Sequence, residues 1–348
     1  AALVGVAEWL AAGKAATATF WNVAAACHWA RGDYASARTA CEHSLALEPG
    51  HDATWCNLAL SLIELEELDS AIAASSRAIR VNPRNATAYN ILGLALNRSD
   101  RIDEATIAYK QAISIDPSCI AAQKNLSLLE LLKGDFTAGL PRYEWRNLEA
   151  GLSAPDLGVP RWTGEQCLAG KRLFVYHEQG LGDTIQFIRY AGLARALGAE
   201  VFVSVQDPLV PLLENAFAGV VVLPSQRAPA RLDFHIPLLS MPLAFKTQAT
   251  DIPANIPYLR ADPVRRAKWR DRLSSVSGFR IAICWQGNVD GPGAKRSFPI
   301  SAFAEIANLP HVRLISLCKG EANSQVSALD GAFTVEVFDD MDPPEAAF

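Results

Sequence analysis

The residues best equipped for chemistry lie in mid-chain, in residues 175–187 (VYHEQGLGDTIQF). An apolar run ends at His177, glycines follow at 180 and 182, and Asp183 stands where a helix should start. A histidine or carboxylate at the end of a strand can take a proton from a hydroxyl. Histidine as a residue type titrates nearer neutrality than a carboxylate, which makes His177 the rival base to Asp183. The strand–Gly180-x-Gly182–helix order also fits a dinucleotide cradle, with Asp207 after the next strand as the ribose-binding acid. Against that, the fingerprint wants a small residue at 185, and Ile185 stands there. The third possibility needs no ligand: Gly180 and Gly182 make a turn, and Asp183 or Thr184 caps the helix. A carboxylate there gains about 0.3 to 1 kcal/mol from the helix dipole, so Asp183 should stay ionised.

Further along, Lys295 and Arg296 precede a helix expected at 301–308. Backbone N–H groups and cationic side chains can meet a phosphate there, although a solvated basic pair is equally ordinary. Lys319 and Glu321 follow a strand and sit on the edge where ligands of parallel sheets bind. Histidines, cysteines and carboxylates show no metal-ligand spacing, so neither a metal nor another cofactor is expected.

Short apolar strands alternating with helices must position these residues. Strands are expected at 172–176, 201–205, 220–223, 233–236, 280–285, 312–317 and 335–338, with helices at 184–197, 209–217 and 265–273 between them. That order implies parallel sheets covered on both faces. Residues 151–169 carry proline, glycine and no period, and read as a linker.

The first half repeats. Prolines fall at 49, 83 and 117 behind the related strings LALEPG, IRVNPR and ISIDPS. A spacing of about 34 residues is the signature of tetratricopeptide (TPR) helix pairs. Trp55, Leu58, Ala59 and Leu62 make one helical face, and Tyr89, Leu92, Gly93 and Leu96 repeat it. Small Ala59 and Gly93 let the partner helix come close. One period earlier, Trp21, Ala37 and Pro49 mark another unit, and residues 1–13 read as the second helix of a still earlier one. A fourth unit begins at Ile120 and degrades near Pro141; residues 142–146 (RYEWR) should cap the array by about residue 149. Such a stack offers a concave surface for a protein, or serves as a plain spacer.

Composition narrows the classes. The chain has 348 residues, half of them hydrophobic and a fifth charged, which suits two or three globular domains. A net charge of -5 excludes the basic field that a nucleic-acid partner requires. Seven cysteines without a C-x-x-C pair imply a reducing, cytoplasmic setting. No apolar run approaches the roughly 18 to 20 residues of a membrane span. The alanine-rich start is interrupted by Glu8, Lys14 and Asn22, which speaks for a buried helix over a signal peptide.

Taken together, YEWR at 143–146, EQGLGDTIQF at 178–187, PLLSMPLAF at 237–245, IPYLR at 256–260, WQGN at 285–288, RSFP at 296–299 and SLCKGE at 316–321 resemble a known family. In that family, bacterial TPR repeats precede a two-lobed GT-B glycosyltransferase domain, and the resemblance spans nearly the whole chain. The transferase part is more distantly similar to the heptosyltransferases, and the layout to O-linked N-acetylglucosamine transferase. The resemblance implies a TPR solenoid over 1–150, a linker over 151–170, a Rossmann-like acceptor lobe over 171–263 and an incomplete donor lobe over 264–348. It implies transfer from a nucleotide-sugar donor to a protein or cell-envelope glycan chosen by the repeats. Asp183 or His177 would be the base, and Gly180 and Gly182 would shape the acceptor loop. Lys295, Arg296, Lys319 and Glu321 would contact the donor. The family's acidic, histidine-containing donor segment is expected beyond Phe348, so this stretch alone would turn over nothing. The competing expectation is a scaffold that binds proteins and catalyses nothing.

Overall fold

A computed structural model describes residues 17–149, 155–214, 216–225, 227–287 and 297–338. The expected helix near residues 1–13 lies outside the described residues. Eight helices in four pairs follow the repeat: α1 Ala18–Ala30 with α2 Tyr34–Leu47, and α3 Asp52–Glu64 with α4 Leu68–Val81. Then come α5 Ala86–Arg98 with α6 Ile102–Ile115, and α7 Ile120–Leu132 with α8 Phe136–Tyr143.

The period is visible in the local chemistry. Within every pair the chain turns through a left-handed residue at the same repeat position: Gly32, Glu66, Asp100 and Gly134 have φ of 77°, 61°, 60° and 79°. That conformation closes the last turn of a helix and lets the next one start at once. At the equivalent N-caps, Thr17, His51 and Asn85 accept the backbone N–H groups of Phe20, Thr54 and Ala88. Two equivalent side chains reach back to the interrepeat prolines, Trp55 Nε1–H to the Pro49 carbonyl and Gln123 Nε2–H to that of Pro117. Gly93 is small for the reason its spacing implied. A Cβ there would stand 2.5 Å from Cε1 of the fully buried Tyr109.

In the fourth pair the second helix is shortened, not lost. α8 carries Pro141 inside its eight residues and gives way to a 3-10 turn over Glu144–Leu148. That turn is the array's cap, and it ends against the first sheet.

The first sheet consists of β1 Arg172–Tyr176, β2 Glu200–Ser204, β3 Val220–Leu223 and β4 Phe234–Pro237. All are parallel, in the order β3-β2-β1-β4, with Val175 opposite Val203 on one side and Ile236 on the other. The single helix expected after β1 is two, α9 Leu181–Phe187 and α10 Arg189–Ala196, with the join at the fully buried Ile188. The helix expected at 209–217 is reduced to a 3-10 turn and α11 Val210–Leu213.

One face of this sheet packs Leu173, Val175, Val201 and Val203 against Ile188, Ala191, Ala194 and Leu213. The other face, Phe174, Tyr176 and Phe202, packs against Leu223 of β3 and irregular chain around Leu157 and Leu232. Residues 155–170, read as linker, are therefore part of the lobe. Trp162 and Leu168 are each 2% exposed and belong to the main core.

A short helix α12 Met241–Ala244 and the longer α13 Pro263–Leu273 lead to the second sheet. Its strands β5 Phe279–Ile283, β6 Val312–Ser316 and β7 Val335–Glu336 are parallel, in sequence order. Between β5 and β6 the expected helix is a 3-10 turn followed by α14 Ala304–Ala307. Ile283, Trp285, Ile300, Leu314 and Cys318 form this unit's own core. The architecture is an N-terminal helical solenoid followed by a region of parallel sheets. No helix among the described residues is long and apolar enough to cross a membrane.

Candidate functional site

In a parallel sheet, ligands bind beyond the carboxyl ends of the strands, at the point where the strand order reverses. In the first sheet that point lies between β1 and β4, which flank each other although β2 and β3 intervene in sequence. The loop leaving β1 carries His177, Glu178, Gly180, Gly182 and Asp183, so the mid-chain motif is on the chemically favoured edge.

Asp183 is half-buried at the third position of α9, and its Oδ2 accepts the Gly180 N–H at 3.0 Å. The carboxylate closes the helix's first turn, as the capping interpretation requires. His177 is also half-buried and has a partner for each ring nitrogen. Nδ1 lies 3.3 Å from the Ser204 carbonyl, and Nε2 lies 3.4 Å from the Ser225 hydroxyl. A carbonyl can only accept, so these partners place the proton of the neutral ring on Nδ1 and leave Nε2 as the acceptor. Among the described residues no hydrogen bond joins His177 to Asp183. Asp207, the candidate ribose acid, accepts the Ser225 N–H at 2.9 Å.

The two glycines differ from what a tight turn demands. Neither has a left-handed φ. A Cβ on Gly180 would meet only Asp183 Oδ2, at 3.4 Å, and one on Gly182 would meet nothing within 4 Å.

The loop's best-held residue is Glu178, which the residue pattern did not single out. Its Oε2 accepts Arg146 Nη2–H at 2.9 Å and the Leu239 N–H at 3.1 Å. Arg146 comes from the cap of the helical array and is 1% exposed. It also donates to Glu144 Oε1 at 3.0 Å, Ser240 Oγ at 2.7 Å and the Tyr143 carbonyl at 3.2 Å. The Ser240 hydroxyl donates to Glu144 Oε2, which Arg161 also contacts. Burial opposes the charge on Arg146, but Glu178 and Glu144 beside it hold the guanidinium above its ordinary pKa. Arg146 of the array's cap thus joins the chain just beyond β1 to the chain just beyond β4, at the reversal point.

Two more side chains, of Gln206 and Tyr143, brace the loop. Gln206 Nε2–H donates to the Gln179 carbonyl at 2.7 Å, while its Oε1 accepts the Thr184 hydroxyl at 2.8 Å. Gln179 in turn donates to the Tyr143 hydroxyl at 3.1 Å. None of these partners lies within a helical or strand period of the loop, so spacing alone could not have found them.

Of the residues expected to hold a donor, two lie among the described residues, in the unit of the second sheet. Lys319 is exposed beyond the carboxyl end of β6, and Glu321 lies in the 3-10 turn Gly320–Asn323. Lys295 and Arg296 lie outside the described residues. Among the described residues no cluster of three histidines, cysteines or carboxylates could hold a metal ion.

Comparison with known proteins covers the two halves unequally. A tetratricopeptide repeat family profile matches residues 56–119. Protein FlbA of Caulobacter vibrioides is 23% identical over 350 residues, covering 92% of this chain and 52% of that protein. The chain therefore spans about half the length of this curated relative. Among solved structures, residues from 41 onward of MamA from Desulfovibrio magneticus RS-1 are 21% identical, with a TM-score of 0.37, over 43% of this chain and 84% of that one. A thermophilic TPR protein of Thermus thermophilus is 17% identical, with a TM-score of 0.36, over 38% of this chain and 74% of that one.

Proposed function

We propose that the chain is a protein-recognition scaffold, whose TPR array captures an extended polypeptide along its row of first helices. One observation carries this reading. Amide pairs join consecutive first helices: Asn57 Nδ2–H donates to Asn22 Oδ1 at 2.8 Å, and Asn125 Nδ2–H to Asn90 Oδ1 at 3.0 Å. All four asparagines are half-buried. A joined pair keeps one amide NH2 and one carbonyl, a donor and an acceptor that match a peptide backbone. Bound polypeptide can be trapped by photo-crosslinking and re-made as a peptide for calorimetry. Replacing Asn90 and Asn125 together by Ala should then weaken binding roughly tenfold, since each lost hydrogen bond is worth about 0.5 to 1.5 kcal/mol. An unchanged Kd with an intact helical spectrum would remove the groove from the reading.

The second reading is glycosyl transfer from a nucleotide sugar, with the array choosing the acceptor. The open space before Gly182 favours it: the fold gives no reason for a glycine there, whereas a ligand approaching the backbone closely would need one. In this reading Asp183 takes the acceptor proton, with His177 as the alternative base. Lys295, Arg296, Lys319 and Glu321 hold the donor, and Gly180 and Gly182 shape the acceptor loop. The two-lobed GT-B arrangement belongs to the same proposal.

Asp183→Asn separates capping from catalysis. An asparagine oxygen can still accept the Gly180 N–H, so stability should hardly change. Turnover of a nucleotide sugar should fall roughly 100-fold, because the amide cannot take the proton. Near-normal turnover would end the catalytic role of Asp183 and move the test to His177→Ala.

A further inference from the structure

Among the seven cysteines, two meet across the carboxyl edge of the second sheet. Cys284 is the first residue beyond β5 and is exposed, while Cys318 lies two residues beyond β6 and is 3% exposed. Their sulfurs are 3.7 Å apart. The backbone around each is fixed. The Trp285 N–H points at the Cys318 sulfur from 3.4 Å, and Leu317 N–H donates to the Ile283 carbonyl at 2.9 Å. Ser316 Oγ accepts the Cys318 N–H at 3.1 Å and donates to Asn323 Oδ1 at 2.7 Å. Trp285, buried beside them, has an indole N–H without a partner.

We propose that Cys284 and Cys318 form a reversible disulfide by exchange with a small-molecule disulfide of the glutathione class. A disulfide bond is about 2.05 Å long, so the sulfurs must close by under about 2 Å. Side-chain rotation supplies such a step, because the parallel strands just before the two cysteines are held in register, Ile283 opposite Ser316. The exposed Cys284 reacts first: its thiolate attacks one sulfur of glutathione disulfide and expels one glutathione thiolate. Cys318 then attacks the Cys284 sulfur and expels the second. One S–S bond breaks and one forms, the two protein thiols are oxidised, and the two thiol protons end on the two glutathiones. Burial, and then Cys318 beside it, pushes the Cys284 thiol above its ordinary pKa, so the exchange is slow. Once formed, the bond ties the turns at Gln286 and Lys319 together and narrows the edge at which a ligand of this sheet would sit.

The other thiols act as controls. Cys167 is exposed, and the buried Cys41 and Cys56 have thiols pushed up to about 12 by burial. The folded chain is incubated with glutathione disulfide for hours, quenched with acid, alkylated and mapped by mass spectrometry without reduction. We expect the loss of both thiols as one Cys284–Cys318 cross-linked peptide, reversed by reduced glutathione. Cys167 should carry a glutathione adduct. In Cys318→Ser the adduct should instead persist on Cys284. Three results would overturn the proposal: an unreacted Cys284, a stable glutathione adduct on Cys284 in the unsubstituted chain, or cross-linking only when Cys41 and Cys56 are also modified.

Discussion

Arg146→Met should lower the unfolding free energy by about 3 to 5 kcal/mol, the usual cost of stripping one partner from a buried ion network. The guanidinium is 1% exposed and serves Glu178, Glu144, Ser240 and the Tyr143 carbonyl at once. Methionine fills the volume and satisfies none of them. Glu178, at 11% side-chain exposure, keeps only the Leu239 N–H, so its charge is left without a counter-ion. Glu144 suffers less because Arg161 still contacts it. Arg146→Lys should recover little, since one ammonium cannot span both carboxylates as the planar fork does. Adding Glu178→Gln to Arg146→Met should restore a substantial part of the loss, because the stranded charge is what costs most. Urea unfolding followed by far-ultraviolet dichroism measures this, and two transitions in place of one would show the array released from the sheet. A loss under about 1 kcal/mol for Arg146→Met would mean that water reaches the network and the junction is loose.

Local rules make much of the fold legible. The 34-residue spacing places four helix pairs, because a left-handed turn recurs in each unit and a side-chain N-cap in the first three. The strand at 172–176 is readable to the residue, since buried parallel strands are short, unbroken apolar runs. Where sequence reading stops, the deciding partner is distant. The period over 184–197 puts Ile188 on the apolar face, where it is fully buried, but it does not show that the helix breaks there. Glu178 stands inside the motif, yet its partner Arg146 is 32 residues away, in the array's cap. The candidate loop is visible as a loop. Its bracing by Gln206, Tyr143 and Arg146 is not, because Gln206 reaches it only once β2 pairs with β1, and Tyr143 and Arg146 only once the array has docked on the sheet.

Trp162→Ala tests the segment where composition misleads most. Proline, glycine and the lack of a period make 151–169 read as linker, and substitution in an exposed linker typically shifts stability by no more than about 0.5 kcal/mol. In the folded chain Trp162 is 2% exposed, and its ring meets Phe245 edge-on at 5.3 Å between centroids. Its indole N–H donates to the Gln166 carbonyl at 3.0 Å, and its backbone N–H donates to the His235 carbonyl at 2.8 Å, beside β4. Removing the ring takes a large side chain from the core of the first sheet, and such a cavity costs about 3 to 5 kcal/mol. Gly164 pins the same turn. Its φ is +90°, and a Cβ there would stand 2.0 Å from the Ala244 carbonyl oxygen, a backbone atom that cannot rotate away. Gly164→Ala should therefore destabilise in the same direction without removing any apolar surface. Trp162→Phe should recover most of the packing but leave the Gln166 carbonyl unpaired, so it should fall between Ala and the unsubstituted chain. If Trp162→Ala unfolds at the same urea concentration as the unsubstituted chain, the segment is a linker after all, and β4 is held by β1 alone.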